Sequence, residues 1–413
     1  MNILFLCEGN AESWQSWSGI SKSLVDHLRA LGHTVHTGDV NLYGIDRWLA
    51  AAATFAPNRA RWGSRFHLGA VPFLLRSRRA RQLVAAHRGA IDLVVQIGAT
   101  FRAVNRAGVP YFMCCDSNIR MAQHGAASGF GDGAVLTEGE LHAIANREAV
   151  VYRGAAAIFP LSERLRRSFI DDFGIPADRV RAIFAGPNFD PDRVAAAAAR
   201  PSDDRPPTAL FVGLQFHRKG GDALVESFRR VRATLPDARL VLAGVPVGFV
   251  QEPGVTCLGD LDKNKPEGAT ALAAAYASAD AFALPTRFEP FGIAFVEAMH
   301  FGLPCIGPRA GAVPEIIEDG VTGFTVPVDD VEALTDRLLR LLGDRALARR
   351  MGTAAQERAR RLFTWPQVVS RMTEVMSTVV AGARERADGR PNPQSTVQLT
   401  PTAFFHAQER RSR

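Results

Sequence analysis

The chain has 413 residues, of which 47% are hydrophobic and 22% charged, the composition of a globular protein with room for two cored domains. No run of about 20 apolar residues occurs, which excludes a membrane-spanning helix. The net charge is +7, carried almost wholly by Arg because only four residues are Lys, and it favours anionic partners such as phosphates or a membrane surface.

Met1–Cys7 lacks a basic start and is interrupted by Glu8, so it reads as a first strand and not as a signal core. The five cysteines are odd in number and show no metal spacing, which suits a reducing cytoplasm. A helix opens at Gly19 and runs through Leu24, Leu28 and Leu31, and Thr34–His36 starts the next strand. This is a Rossmann-like opening without a G-x-G-x-x-G fingerprint. Residues 41–90 read as less regular. From Arg59 to Arg88 there are eight Arg and no acidic residue, interleaved with Trp62, Phe66 and Phe73–Leu75. That run is either a basic amphipathic surface for an anionic membrane or acceptor, or a solvated helix face covering the first sheet.

Ile91–Gly98 and Val109–Cys115 are buried strands, the second ending at Asp116. Gln123–Gly133 is a Gly- and Ala-rich loop placed over a site, followed by a helix from about Glu138 to Arg153. Ala155–Pro160 is a strand, Ser162 caps the next helix, and Val180–Phe184 is expected as a last strand. The domain boundaries follow as 1–187, a linker at 188–207, 208–365, a crossing helix at 366–382 and a disordered tail at 383–413. The second domain repeats the grammar of strand, loop and helix, giving two Rossmann-like α/β domains that face a central cleft.

The chemistry concentrates after the apolar run Ala281–Leu284. Pro285 stops that strand, Glu289 lies in the loop, and a helix from about Gly292 to His300 carries Glu297. On that helix the neighbours of Glu297 are Ile293, Ala294 and Phe301, with His300 the only polar one, so its carboxylate is partly desolvated and needs donors. Sugar hydroxyls can supply them. The N–H groups at Phe291, Gly292 and Ile293 face the positive helix end and suit an anion. The plainer alternative is a loop Glu and a helix Glu paired with Arg. The loop Gly213–Gly221 offers Arg218 and Lys219 before two glycines, either to hold a diphosphate or as an exposed basic turn. Gly307–Glu315 is a third small-residue loop of the same kind. Asp190-Pro191-Asp192 and Asp260-Leu261-Asp262 are the carboxylate pairs that a divalent metal would use.

Glu289 and Glu297 stand eight apart, in the E-x7-E pattern, within Leu284–Gly292 and Glu297–Met299. Together with Gly302–Cys305, Val313–Ile316, Asp319–Gly323 and Arg218–Gly221, the stretch resembles the retaining glycosyltransferases of family 4. The resemblance is dense over about 208–330. It implies the GT-B fold, with a C-terminal helix crossing back to the N-domain. It also implies a nucleotide-sugar donor, UDP- or GDP-linked, a sugar-containing acceptor, no metal and no other cofactor. On that resemblance Glu289 contacts the donor sugar, Phe291–Ile293 face sugar and phosphate, Glu297 binds ribose hydroxyls, and Lys219 neutralises the departing diphosphate.

Two departures accompany it. Leu214 and Gln215 stand where many members place Arg, leaving Arg218 as the substitute. The N-domain His of many members is replaced at the strand end by Asp116, with His124 as the alternative and a helix-cap role also open for Asp116. The Gly-rich loop of the N-domain is reduced to Ser18-Gly19, and Gly19 is placed with the donor-binding residues. The expected protein is a cytoplasmic glycosyltransferase with peripheral membrane contact through Arg59–Arg88 and no nucleic-acid partner. The competing readings are an epimerase or hydrolase of the same fold and a non-catalytic sugar-nucleotide-binding subunit.

Overall fold

Residues 1–103, 108–125, 129–189 and 204–387 are described by a computed structural model of the chain. The first sheet contains β1 (Asn2–Cys7), β2 (Thr34–Asp39), β3 (Leu93–Ile97), β4 (Tyr111–Cys115) and β5 (Ala157–Pro160). They are all parallel in the order β2-β1-β3-β4-β5. β3, β4 and β5 are buried throughout, as near-continuous apolar strands must be when helices cover both faces of a sheet.

Helix α1 (Ile20–Ala30) follows β1 as expected. The segment after β2 departs from the sequence reading, because it folds into α2 (Gly44–Ala53), α3 (Arg59–Leu68) and α4 (Ala70–Ala86). Neither α2 nor α4 begins with a side-chain cap, so two of the three helices carry no start signal. Asn58 caps α3 by accepting from the Arg61 N–H at 2.9 Å.

The Arg59–Arg88 run is not one continuous basic face. Arg76 is only 1% exposed and pairs with Glu8 at 2.8 Å. Arg61 and Arg65 meet Glu140 at 3.1 and 3.3 Å, and Arg79 donates to the Asp39 carbonyl at 2.7 Å. Half of these arginines therefore fasten the helices to the domain, while Arg59, Arg78, Arg81 and Arg88 face solvent.

The N-domain continues with α5 (Ile119–Gly125), α6 (Glu138–Gly154) and α7 (Glu163–Asp171). Ser162 caps α7 as the sequence indicates, accepting from Leu165 N–H at 3.1 Å. Val180–Phe184 does not complete a strand. Arg181 and Ile183 donate to the Ile158 and Pro160 carbonyls at 3.0 and 2.9 Å, but Phe184 turns to φ +61° and ends the pairing.

The second sheet contains β6 (Thr208–Val212), β7 (Arg239–Ala243), β8 (Val255–Gly259), β9 (Ala281–Ala283), β10 (Cys305–Pro308) and β11 (Gly323–Val326). Its order is β11-β10-β9-β6-β7-β8, again parallel. The helices are α8 (Gly221–Thr234), α9 (Pro266–Ser278), α10 (Ile293–His300), α11 (Val313–Ile316), α12 (Val331–Gly343), α13 (Arg345–Leu362) and α14 (Trp365–Ala387).

Helix α14 crosses back to the N-domain. Trp365 Nε1 donates to the Pro187 carbonyl at 2.8 Å, Arg371 to the Ile183 carbonyl at 3.2 Å, and Arg384 to Asp92 at 2.5 Å. Leu24 and Leu28 of α1 and Val368 and Met372 of α14 belong to one apolar core that extends into both domains. The helix runs five residues past the expected stop at 382. The tail beyond Ala387, most of the expected linker and the Asp190/Asp192 pair lie outside the described residues.

Candidate functional site

Each sheet has a point where successive strands run off in opposite directions, and ligands of open α/β sheets bind outside the strand ends there. In the second sheet that point lies between β6 and β9. The strand order places β10, β9 and β6 side by side, so the three loops singled out in the sequence leave adjacent strands.

The backbone lashes these loops together. Arg287 N–H donates to the Arg218 carbonyl at 2.9 Å, and Arg218 Nη1 donates to the Phe288 carbonyl at 2.5 Å. Arg218 Nε donates to Gln215, one of the residues standing where Arg was expected. Arg287 also bridges Asp222 and Asp329, each at 2.7 Å. Gly220 (φ +71°) packs against the Pro285 carbonyl, and Gly311 (φ +61°) against the Glu289 carbonyl, so a Cβ at either position would strike a backbone oxygen.

The two motif glutamates are not paired with Arg. Lys219 Nζ contacts the Glu289 carboxylate directly, and both side chains are largely buried. Burial holds the Lys219 ammonium below its usual range despite that partner, and the nearby Arg218 charge adds to the effect. Glu297 is 1% exposed. Its Oε1 lies 2.5 Å from Lys263 Nζ, and its Oε2 accepts from the Tyr276 hydroxyl at 3.0 Å. Tyr276 stacks on Phe301 with ring centroids 5.2 Å apart. Gly292 (φ +106°) precedes the first turn of α10, which has no side-chain cap. The N–H groups at this end of α10 therefore have no capping side chain.

The N-domain approaches the same place. Asp116 follows β4, keeps part of its surface open, and is hydrogen-bonded by the Trp17 side chain. Burial raises its carboxyl above the usual range, the Trp17 bond lowers it, and the Glu289 charge raises it further. Trp17, Ser18 and Gly19 are three consecutive left-handed residues at φ +47°, +55° and +84°. Non-glycine residues adopt this conformation at a cost of roughly 1–2 kcal/mol each. Gly19 packs within the N-domain against Trp14 and Asn188, with no contact to the β6, β9 or β10 loops among its nearest neighbours. Its place among donor residues was an expectation from the reduced Gly loop.

The segment expected as a loop over the site starts as α5. Gly125 and Gly131 flank the Phe288 ring, and the Arg287 guanidinium lies 5.8 Å from the Phe130 ring centre. The His124 side chain lies outside the described residues. Trp14 N–H donates to Asn264 at 3.0 Å, so the loop carrying Lys263 also touches the N-domain. In that loop Asp262 accepts from the backbone and side chain of Asn264, both at 2.9 Å, which makes it a turn residue.

Sequence reasoning missed Lys263, Tyr276 and the bracing role of Arg287. One signal was available for the first. Four Lys in an Arg-rich chain are few, and two of them meet the two motif glutamates.

The sequence profile of the family described as Glycosyl transferases group 1 matches residues 192–358. Over that stretch the chain is similar to the family 4-like GT-B glycosyltransferases. It is 28% identical over 293 residues to the glycogen synthase of Mycobacterium tuberculosis, covering 68% of this chain and 66% of that protein. It is 31% identical over 199 residues to a GDP-mannose-dependent alpha-(1-6)-phosphatidylinositol monomannoside mannosyltransferase of Mycolicibacterium smegmatis, covering 46% of this chain and 52% of that one. The chain thus spans about two thirds or less of these relatives' lengths. The fold matches sucrose-phosphate synthase of Thermosynechococcus elongatus at a TM-score of 0.65 and 19% identity, over 92% of this chain and 100% of that structure.

Proposed function

We propose that the chain transfers a sugar from a nucleotide-sugar donor to a sugar-containing acceptor, with retention of configuration and without a metal. The observation that carries the reading is the pair of lysine–carboxylate contacts at the β6/β9 switch point, Lys219–Glu289 and Lys263–Glu297. A diphosphate arriving beside Lys219 finds a cation held in place by Glu289, and the developing negative charge of the leaving group is neutralised there. Arg218 lends a second positive charge, and the N–H groups of Phe291, Gly292 and Ile293 face the sugar and phosphate. Glu297 accepts from the ribose hydroxyls, and Glu289 orients the donor sugar. The dependence of the mannosyltransferase relative on GDP-mannose supports a guanine nucleotide as carrier. Asp116, raised in pKa and facing Glu289 from the other domain, takes the acceptor proton. An acceptor presented at a membrane surface suits the exposed arginines of the Arg59–Arg88 run and a cytoplasmic, peripheral enzyme.

The test is a thermal-shift screen of UDP-, GDP-, ADP- and dTDP-sugars with and without EDTA, followed by transfer assays and NMR of the product anomer. Donor binding raises the melting temperature by mass action. The expected results are an EDTA-insensitive shift, weaker donor binding in Glu297→Ala and lost turnover in Glu289→Ala. Wild-type kinetics in both variants would overturn the site. Donor consumption without an acceptor would favour the epimerase or hydrolase reading, and binding without turnover a non-catalytic subunit.

A further inference from the structure

The N-domain carries an apolar surface that the donor site does not use. Ile45 and Trp48 of α2 are 75% and 76% exposed, and Leu49 and Phe55 are also open to solvent. Positions 45, 48, 49 and 52 recur at helical spacing, so they form one stripe along α2. The opposite side of the helix buries Ala50.

Helix α4 extends this surface. The Arg79 guanidinium lies 5.5 Å from the Tyr43 ring centre at one end of α2, and Gly69 lies against Thr54 at the other. The two helices are therefore antiparallel, and the middle of α2 lies beside the first turns of α4. There Val71 and Leu74 are exposed, followed on the same face by Arg78 and Arg81. Arg59 at the start of α3 and Arg88 just past α4 are exposed as well. The only acidic residue of α2, α3 and α4 is Asp46, in the first turn of α2.

This surface is formed by two packed helices. The surface is braced from α3: Trp62 donates to the Ala51 carbonyl at 3.0 Å, and the exposed Phe55 meets Trp62 edge-on at 5.6 Å. Exposed Trp and aliphatic side chains beside Arg on a rigid amphipathic face match the boundary between lipid headgroups and acyl chains. The cations attract an anionic surface, and the apolar stripe then enters it.

We propose that this face, the α2 stripe with the adjoining turns of α4, docks the chain on an anionic lipid bilayer. The contact is centred on Trp48 and not on the Arg59–Arg88 run, half of whose arginines are engaged within the domain. The proposal does not depend on the donor-site reading, since none of these side chains belongs to that site.

The test is co-sedimentation of the full chain with vesicles of phosphatidylcholine alone or mixed with phosphatidylglycerol, at low and raised salt. The expected result is partitioning onto the mixed vesicles that weakens with salt. The double variant Ile45→Ser/Trp48→Ser, at exposed positions that leave the fold intact by circular dichroism, lowers partitioning roughly 10-fold or more. The double variant Arg78→Glu/Arg81→Glu removes the preference for phosphatidylglycerol. Absence of the chain from the mixed vesicles would overturn the proposal, as would unchanged partitioning of Ile45→Ser/Trp48→Ser. A wild-type dimer in sedimentation velocity that this variant dissolves would also overturn it, assigning the face to a second copy of the chain.

Discussion

Replacing Lys263 by Met removes one charge from one of the two buried ion pairs of the site and leaves its stem in place. Glu297 is then a 1% exposed carboxylate whose Oε1 has lost its partner at 2.5 Å, with only the Tyr276 hydroxyl at 3.0 Å on Oε2. Breaking a buried pair from one side costs about 3–5 kcal/mol. The Lys263 side chain is 20% exposed, so water reaches part of the vacated space and the lower end, about 3 kcal/mol, applies. Adding Glu297→Gln removes the stranded charge and leaves a neutral polar group, whose imperfect satisfaction costs about 1–2 kcal/mol. The double variant should therefore be more stable than Lys263→Met alone by about 1–2 kcal/mol, and the two substitutions should be non-additive. Urea denaturation of the four proteins without donor measures this cycle. Additivity within about 0.5 kcal/mol would refute the argument that the pair is a single buried unit.

Three further outcomes follow from other sites. Glu148 is 8% exposed, and burial pushes its carboxyl from 4.5 up to about 7 against the Ile119 N–H bond, Tyr152, Arg147 and Arg120. Its proton favours the folded state, so that stability is fully present below the unfolded value of 4.5 and is lost as pH rises through about 7. Glu148→Gln should lack this slope and exceed wild type by up to about 3 kcal/mol at alkaline pH, measured by urea titrations across pH; parallel profiles would contradict it. Gly311→Ala forces a Cβ onto the Glu289 carbonyl at φ +61°, at a cost of about 1–3 kcal/mol, and its melting temperature should fall with donor affinity. Trp17→Phe removes the hydrogen bond that lowers the Asp116 carboxyl, so the acid limb of the turnover–pH profile should move to higher pH while donor binding stays as in wild type. An unmoved limb would separate Asp116 from the rate.

The strand-loop-helix around Glu289 was legible because Pro285, the following Pro–Gly punctuation and the apolar run before it are local signals. The same holds for the capped helix at Ser162. Lys263 was not legible as a partner of Glu297, because the contact depends on α9 returning the chain from the edge strand β8 toward β9. No local pattern encodes that return. Helices α2 and α4 lacked caps, and α4 spends Arg76 inward, against the rule that Arg faces water. The left-handed conformation of Trp17 and Ser18 runs against side-chain preference, so sequence propensity alone does not indicate it.

The scarcity of lysine gives the candidate site a readout of its own. A reagent that acylates primary amines meets the N-terminus, the exposed Lys265 and Lys22 in its surface pair with Asp26, while Lys219 and Lys263 sit against buried carboxylates. The guanidinium groups that make up the rest of the positive charge do not react. Each slow addition to the intact mass therefore counts an opening of one of these two pairs, and a bound nucleotide would stop that clock.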